Sequence, residues 1–185
     1  METFHLRVFQ RQVLDQCKFL LKSADEINAG MALRDTDHIL YGIQNLLNAG
    51  ANISKMLWGQ KGKFANQRAQ LRDSIGVADD SPLREVTMRN NFEHIDERID
   101  RWWVESKAHN LADKIIGPKD GAIVGMEPTD MFRMFDPNTT NVIFWGEEFN
   151  MRALVTEAQR IFPLLQAEAN KPHWQEPVFI DVGNG

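Results

Sequence analysis

The sequence predicts a mainly α fold, a helical bundle of four to five helices with a small β-hairpin inserted before the last helix. Apolar residues recur at steps of three and four over much of the chain, which is the period of an amphipathic helix. Glycine, proline and aspartate separate these stretches with short loop signals. One late region has no helical period and is rich in turn residues, which favours strands joined by a turn.

The first helix is predicted from about residue 4 to 29. Its apolar stripe is formed by Leu6, Phe9, Val13, Cys17, Leu20, Ala24 and Ile27. Gly30 is expected to end this helix, because glycine is the usual residue just beyond a helical C-terminus. Cys17 lies within the stripe, so we expect a buried and unreactive thiol.

The second helix can be capped by either Asp35 or Asp37, since a carboxylate accepts hydrogen bonds from free backbone N–H groups. Its apolar residues keep the helical period up to a Gly-Gln-Lys-Gly turn at residues 59–62. A shorter and more polar third helix is predicted for residues 64–75.

The fourth helix is predicted to begin at Ser81-Pro82, with the serine as N-cap and the proline at the first helical position. We expect it to continue without interruption as far as His109. Its apolar stripe, expected to face the core, contains Met88, Phe92, Ile95, Ile99, Trp102 and Ser106.

The hairpin is predicted from two apolar segments, Met131 to Phe135 and Val142 to Trp145, which flank a turn-rich stretch. Asn150 or the acidic pair before it is expected to open the last helix. Pro163 is expected to kink that helix.

The domain organisation follows from length and composition. A chain of 185 residues with 43% hydrophobic content can form one domain with a substantial core. We expect a single domain over residues 1–170, with residues 111–146 as a turn-rich insertion, and an extended tail over residues 171–185.

The charge and cysteine content restrict the function classes. A net charge of −5 gives no overall attraction for nucleic acid, so RNA binding would need a local basic cleft. The single cysteine cannot form an internal disulfide, and no stretch has the character of a signal peptide or a membrane span. We therefore expect a cytoplasmic protein without membrane association.

The greatest concentration of chemically functional side chains lies in Arg89-Asn90-Asn91-Phe92-Glu93-His94. This segment places a guanidinium, amides, a carboxylate and an imidazole within two helical turns. On a continuous helix that turns by about 100° per residue, four polar residues share the side opposite the apolar stripe. These are Asn90, His94, Glu97 and Arg101. Leu83 and Val86 fall on the same side, and a mixture of apolar and polar residues is typical of a partner surface.

The same residues also permit a purely structural interpretation. Arg89 with Glu93, and Glu97 with Arg101, are four residues apart and can form ion pairs worth about 0.2–0.5 kcal/mol each. In this interpretation the segment is a solvated charged face.

Arg89, the polar Asn90 and His94, with four residues between arginine and histidine, resemble the R-polar-x3-H motif of the HEPN superfamily of helical-bundle ribonucleases and toxins. The resemblance covers these six residues directly. It extends to about residues 1–110 only through the predicted helical architecture.

The resemblance implies metal-independent cleavage of RNA at a cleft shared by two subunits, with the ribose 2′-hydroxyl as nucleophile and no cofactor. His94 would move the proton, Arg89 would bind the phosphate, and Asn90 would orient the imidazole or the phosphate. The other implied sites are substrate contacts at Arg98 and Arg101 and an interface at Leu83, Val86 and Glu97. The expected partners are a second copy of the chain, an RNA substrate, and a cognate antitoxin or regulatory protein.

Two other functions stay open at this point. The fold could serve as a noncatalytic dimerisation or interaction module, and Glu93 favours this because a carboxylate beside the phosphate site repels the substrate. A metal site is the third hypothesis, because Asp35-x-x-His38 and His94-x-x-Glu97 each place a carboxylate and an imidazole on one helical face. The reversed order of the two pairs makes a metal ligand set the weakest of the three, and no metal is expected.

Overall fold

The computed structural model describes residues 1–119 and 125–172, and this part of the chain is mainly helical, as predicted. It contains three long helices: α1 (Thr3–Leu33), α2 (Thr36–Trp58) and α6 (Met151–Ala169). Helix α1 packs along both α2 and α6. The buried residues at their centre include Leu20, Ile43, Leu46, Leu57, Leu154 and Leu165.

The connection between α1 and α2 differs from the prediction at Gly30. Helix α1 continues past this glycine to Leu33, and the turn is made by Arg34 in the left-handed conformation, with φ 56°. A Cβ at Gly30 would lie 2.8 Å from the backbone nitrogen of Ile39. Gly30 therefore allows the start of α2 to approach α1 closely. Asp35 caps α2, and its side chain accepts a hydrogen bond from the backbone N–H of His38 at 3.0 Å.

The predicted third helix is shorter than expected. The α-helical part, α3, covers only Ala69–Ser74, and a 3₁₀ turn over Asn66–Arg68 precedes it. The buried Arg72 donates hydrogen bonds to the carbonyls of Leu57 at 2.8 Å and Ala65 at 2.7 Å. These bonds attach the irregular segment to the C-terminal end of α2.

The predicted fourth helix is broken into three pieces, so the expectation of one continuous helix is wrong. A 3₁₀ turn at Pro82–Arg84 ends where Glu85 becomes extended. Helix α4 covers Thr87–Glu93, and α5 covers Ile95–Glu105. His94 separates them, with φ −104° and ψ 43°.

These breaks change which side chains are buried. Ile99, predicted to face the core, is 46% exposed, whereas Leu83, predicted to face a partner, is fully buried. Trp102 is buried as expected, and its indole N–H donates to the buried carboxylate of Asp130 at 3.0 Å. Ser106 donates to the same carboxylate oxygen at 2.5 Å, which holds the end of α5 beside the 3₁₀ turn Pro128–Asp130.

The predicted hairpin is present within a four-stranded sheet of order β1-β2-β3-β4. Strand β2 (Met134–Asp136) pairs antiparallel with β3 (Asn141–Phe144). The sequence did not predict β4 (Glu147–Asn150), which is antiparallel to β3, or the two-residue β1 (Ile115–Ile116), which is parallel to β2.

Helix α6 follows β4 directly. The side chain of Asn150 caps it by accepting a hydrogen bond from the backbone N–H of Ala153 at 2.8 Å, as predicted. The helix continues through Pro163 to Ala169. The predicted extended tail lies outside the described residues from residue 173 onward.

Within residues 1–119 and 125–172, each helix is too short or too polar for a membrane-spanning segment.

Candidate functional site

The residues of the R-polar-x3-H motif line one groove between the C-terminal part of α2 and helix α4. We call it the α2–α4 groove, and its volume is about 400 Å³. Its polar lining includes Ser54, Lys55, Gln60, Lys61, Arg89, Asn90, His94 and Arg98. The wall opposite the motif therefore comes from α2 and the turn that follows it, about 30 residues earlier in the chain.

Arg89 is held on the wall of this groove by its own helix. Its guanidinium donates to the carboxylate of Glu93, one turn further along α4. It also donates to the side-chain oxygen of Asn90 at 3.3 Å. The guanidinium is thus oriented within the groove, but Glu93 already offsets much of its charge.

His94 occupies the break between α4 and α5, and this position sets its environment. The side chain is about half exposed, at 49%. Its Nε2 atom lies 4.0 Å from a carboxylate oxygen of Glu93, and its Nδ1 atom lies 3.6 Å from one of Glu97. An imidazole that reaches solvent between two carboxylates can exchange protons with a bound molecule or with water.

Arg98 reaches the same groove from α5 and is positioned through a buried amide. Its Nε donates to the side-chain oxygen of Asn91 at 3.1 Å, and the Asn91 amide donates to Glu147 on β4 at 3.1 Å. Asn91 itself is buried. The sheet therefore helps to orient Arg98, although no residue of the sheet lines the groove.

Lys55 and Lys61 were not identified from the sequence. Lys55 is exposed in the last turn of α2, and Lys61 follows in the 3₁₀ turn at Gln60–Gly62. Neither belongs to a motif, and only the packing of α2 beside α4 brings them to Arg89 and His94. The local sequence predicted a turn at residues 59–62, and it did not indicate that these lysines would lie beside the motif.

The structure separates the predicted site residues Arg101 and Glu97 from the groove. Arg101 instead donates to Glu105 at 2.8 Å, and its guanidinium lies 5.0 Å from the ring of Trp145. Glu97 is exposed and approaches His94 without lining the groove. These positions differ from the predicted shared face because the break at His94 rotates α5 relative to α4.

The structure also differs from the prediction at the residues expected to form an interface. Leu83 is fully buried because its 3₁₀ turn packs against α2 and α6, so it offers nothing to a partner. Val86 is partly buried and lines the groove. The idea of an apolar partner surface at the start of the motif helix is therefore wrong at Leu83.

The charge distribution of the groove differs from that of the whole chain. Lys55, Lys61, Arg89 and Arg98 bring four cationic groups to it. Two of these contact a carboxylate, Arg89 that of Glu93 and Arg98 that of Glu97. The entire chain carries a net charge of −5. A local basic groove of this type suits an anion such as a phosphodiester.

The first of the two pairs considered as metal ligands, Asp35 and His38, has other contacts. His38 is hydrogen-bonded to Glu26 on α1 at 2.7 Å, and Asp35 caps α2. Among the residues that the structure describes, no group of three or more histidine, cysteine or acidic side chains has an arrangement that could hold a metal ion.

Comparison of the chain with protein-family models, with curated proteins and with solved structures finds no match.

Proposed function

We propose that this protein is a metal-independent endoribonuclease of the HEPN type, acting in the cytoplasm as a toxin or defence component. The observation that carries the proposal is the convergence of Arg89, Asn90 and His94 on one groove with two lysines, one from α2 and one from the turn that follows it. A motif that was only a solvated charged face would not require a second basic wall.

The proposed reaction needs a proton acceptor and an anion-binding group close together. His94 takes the proton from a ribose 2′-hydroxyl, whose oxygen attacks the adjacent phosphorus. The bond from phosphorus to the 5′-oxygen breaks, and this oxygen takes a proton from water. The products are a 2′,3′-cyclic phosphate and a 5′-hydroxyl, and the protonated His94 returns its proton to the solvent. Arg89 stabilises the negative charge that grows on the phosphoryl oxygens, because its planar guanidinium matches their geometry.

The remaining groove residues have supporting roles in this proposal. Lys55 and Lys61 bind the phosphates on either side of the cleaved bond, and Arg98 contributes from α5. Asn90 orients Arg89, to which it is hydrogen-bonded. A second copy of the chain completes the cleft, and a cognate antitoxin or regulatory protein would block it.

Cleavage of RNA in excess EDTA tests the proposal. Wild-type protein should produce fragments with cyclic phosphate ends, and His94→Ala and Arg89→Ala should each lower the rate by about 100-fold or more. His5→Ala serves as the matched control because His5 lies on α1 outside the groove, and it should cleave like wild type. Absence of cleavage by wild type, or full activity in both variants, would refute the proposal.

A noncatalytic interaction module is the second candidate, and the contact between Arg89 and Glu93 favours it. A guanidinium already paired with a carboxylate is less available to a phosphate. In this case the protein should bind a partner through the groove while leaving RNA intact, and Arg89→Ala should weaken that binding.

A further inference from the structure

A second groove lies between the exposed faces of α1 and α2. We call it the α1–α2 groove, and its volume is about 400 Å³, similar to that of the α2–α4 groove. Two kinds of side chain dominate its lining, aromatic rings and amides. They are Gln16, Phe19, Tyr41, Asn45, Asn48 and Asn52.

The aromatic rings of this groove are unusually open to solvent. Phe19 is 56% exposed and Tyr41 is 63% exposed, and they lie on opposite helices. Single exposed apolar residues are common on protein surfaces. Two aromatic rings that border the same groove have a more specific use, since an unstacked nucleic-acid base gains free energy by stacking on such a ring.

The amide side chains of the groove can form hydrogen bonds with the edges of nucleobases. Each amide side chain offers both a donor and an acceptor, as the edges of nucleobases do. Asn45, Asn48 and Asn52 follow one another along the side of α2 that lines the groove, and the amide of Asn52 donates to Gln16 across the groove at 3.2 Å. Asparagine is a weak helix former, so this row is not explained by helix stability.

The positive and negative charges that line the α1–α2 groove nearly cancel. Lys22 and Glu26 both line it, and Glu26 is hydrogen-bonded to His38 at 2.7 Å. A groove without a clear excess of positive charge is poorly suited to the backbone of a duplex, whose binding depends on several cationic contacts. It suits the bases of a single strand whose phosphates are bound elsewhere.

The two grooves share α2 as a common wall, which connects them. Asn52 lines the first groove and Lys55 lines the second, and residues three apart on a helix are neighbours on its surface. Tyr41, Asn48 and Lys55 lie on one side of α2, and the distance along the helix from Tyr41 to Lys55 is about 21 Å. An extended strand can therefore follow α2 from one groove to the other.

We propose that the α1–α2 groove binds unpaired bases of single-stranded RNA, with Phe19 and Tyr41 as stacking platforms, and that the same strand continues into the α2–α4 groove. This inference rests on the proposed function, because it names the form of the RNA that the nuclease acts on. It adds a substrate-binding site whose residues Asn48 and Tyr41 lie about two to four helical turns from Lys55 along α2.

Binding of a labelled, cleavage-resistant RNA separates this inference from the proposed nuclease activity. The probe is a 2′-O-methyl single strand of about 12 nucleotides, which lacks the nucleophile, and the readout is fluorescence anisotropy. Phe19→Ala and Tyr41→Ala should each weaken binding between about 5-fold and 100-fold. Trp103→Ala is the matched control, since Trp103 is 64% exposed and lines neither groove, and it should bind like wild type.

A duplex of the same sequence should bind more weakly than the single strand, and the two aromatic variants should bind it as the wild-type protein does. The inference is overturned if Phe19→Ala and Tyr41→Ala bind the single strand like wild type, or if wild type does not bind it. A change in oligomeric state of these variants by light scattering, with unchanged RNA binding, would also overturn it in favour of a protein partner. Wild-type binding without cleavage of unmodified RNA would contradict the proposed nuclease and leave the binding site supported.

Discussion

Glu93 holds Arg89 by an ion pair across one turn of α4, and the same carboxylate lies 4.0 Å from the imidazole of His94. One acidic side chain thus contacts both groups that the proposed chemistry requires. A substitution of Glu93 measures whether this contact decreases or increases RNA binding and cleavage.

Glu93→Gln should increase RNA binding and cleavage. The change frees the guanidinium of Arg89 and removes a negative charge that repels phosphate, so we expect a gain of about two- to fivefold, the size of an exposed ion pair. Glu105→Gln is the control, because Glu105 makes an equally spaced pair with Arg101 outside the groove. A loss of activity in Glu93→Gln would show instead that the carboxylate is needed to orient Arg89.

Lys55→Gln and Lys61→Gln should weaken RNA binding and reduce its salt dependence. Each lysine that contacts a phosphate of a single strand contributes about 0.7 to the slope of log affinity against log salt, and each variant should lose about this amount. The measurement is a titration of the single-stranded probe at several salt concentrations. Lys63→Gln should keep the wild-type slope, since Lys63 is exposed but does not line the groove. An unchanged slope in both groove variants would exclude these lysines as phosphate contacts.

Gly42→Ala should destabilise the protein by about 1–3 kcal/mol, although alanine is the better helix former. A Cβ at Gly42 would lie 2.7 Å from a side-chain carbon of Ile27 and 3.0 Å from its backbone nitrogen, so α1 and α2 would have to separate. Urea denaturation measures the change. Gly117→Ala should be within about 0.5 kcal/mol of wild type, because none of the residues that the structure describes has an atom within 4 Å of the added carbon. Equal stabilities of the two variants would contradict this close approach of the helices.

The stability contributed by Asp113 should depend on pH. Burial raises the pKa of this carboxyl, but hydrogen bonds from the backbone and guanidinium of Arg133, together with its charge, lower the pKa overall. A carboxyl whose pKa is lower in the folded than in the unfolded protein stabilises the folded state at pH values above the unfolded pKa of about 3.9. This stabilisation is lost as the pH falls through the lower pKa of the folded state.

Asp113→Asn should therefore cost about 1 kcal/mol at pH 7, a value reduced by partial exposure to solvent, and little once the pH lies below the lowered pKa of this carboxyl in the folded protein. Urea denaturation of wild type and variant at a series of pH values gives this difference directly. Asp15→Asn is the control, because Asp15 pairs with Lys18 on the exposed surface of α1, and it should have no measurable effect at either pH. A difference that grows toward acid pH would have the wrong sign for this explanation.

The three long helices and the hairpin could be predicted from local sequence. Their apolar spacing and caps are properties of neighbouring residues, and the predicted caps at Asp35 and Asn150 are present as hydrogen bonds. The arginine, asparagine and histidine of the motif could be identified for the same reason, since they lie within six consecutive residues. Strands β1 and β4 could not, because β1 has only two residues and β4 is mostly polar and exposed, so it lacks the apolar residues that indicated β2 and β3.

Packing between distant parts of the chain determined which side chains of the motif region are buried and which residues line the α2–α4 groove. A continuous helical period placed Ile99 inside and Leu83 outside, and the breaks at Glu85 and His94 reverse both, because an interruption rotates every side chain that follows it. Lys55 and Lys61 reach the motif only through the contact of α2 with α4. A groove is a relation between two surfaces, and the periodicity of one segment contains no information about which segment lies opposite.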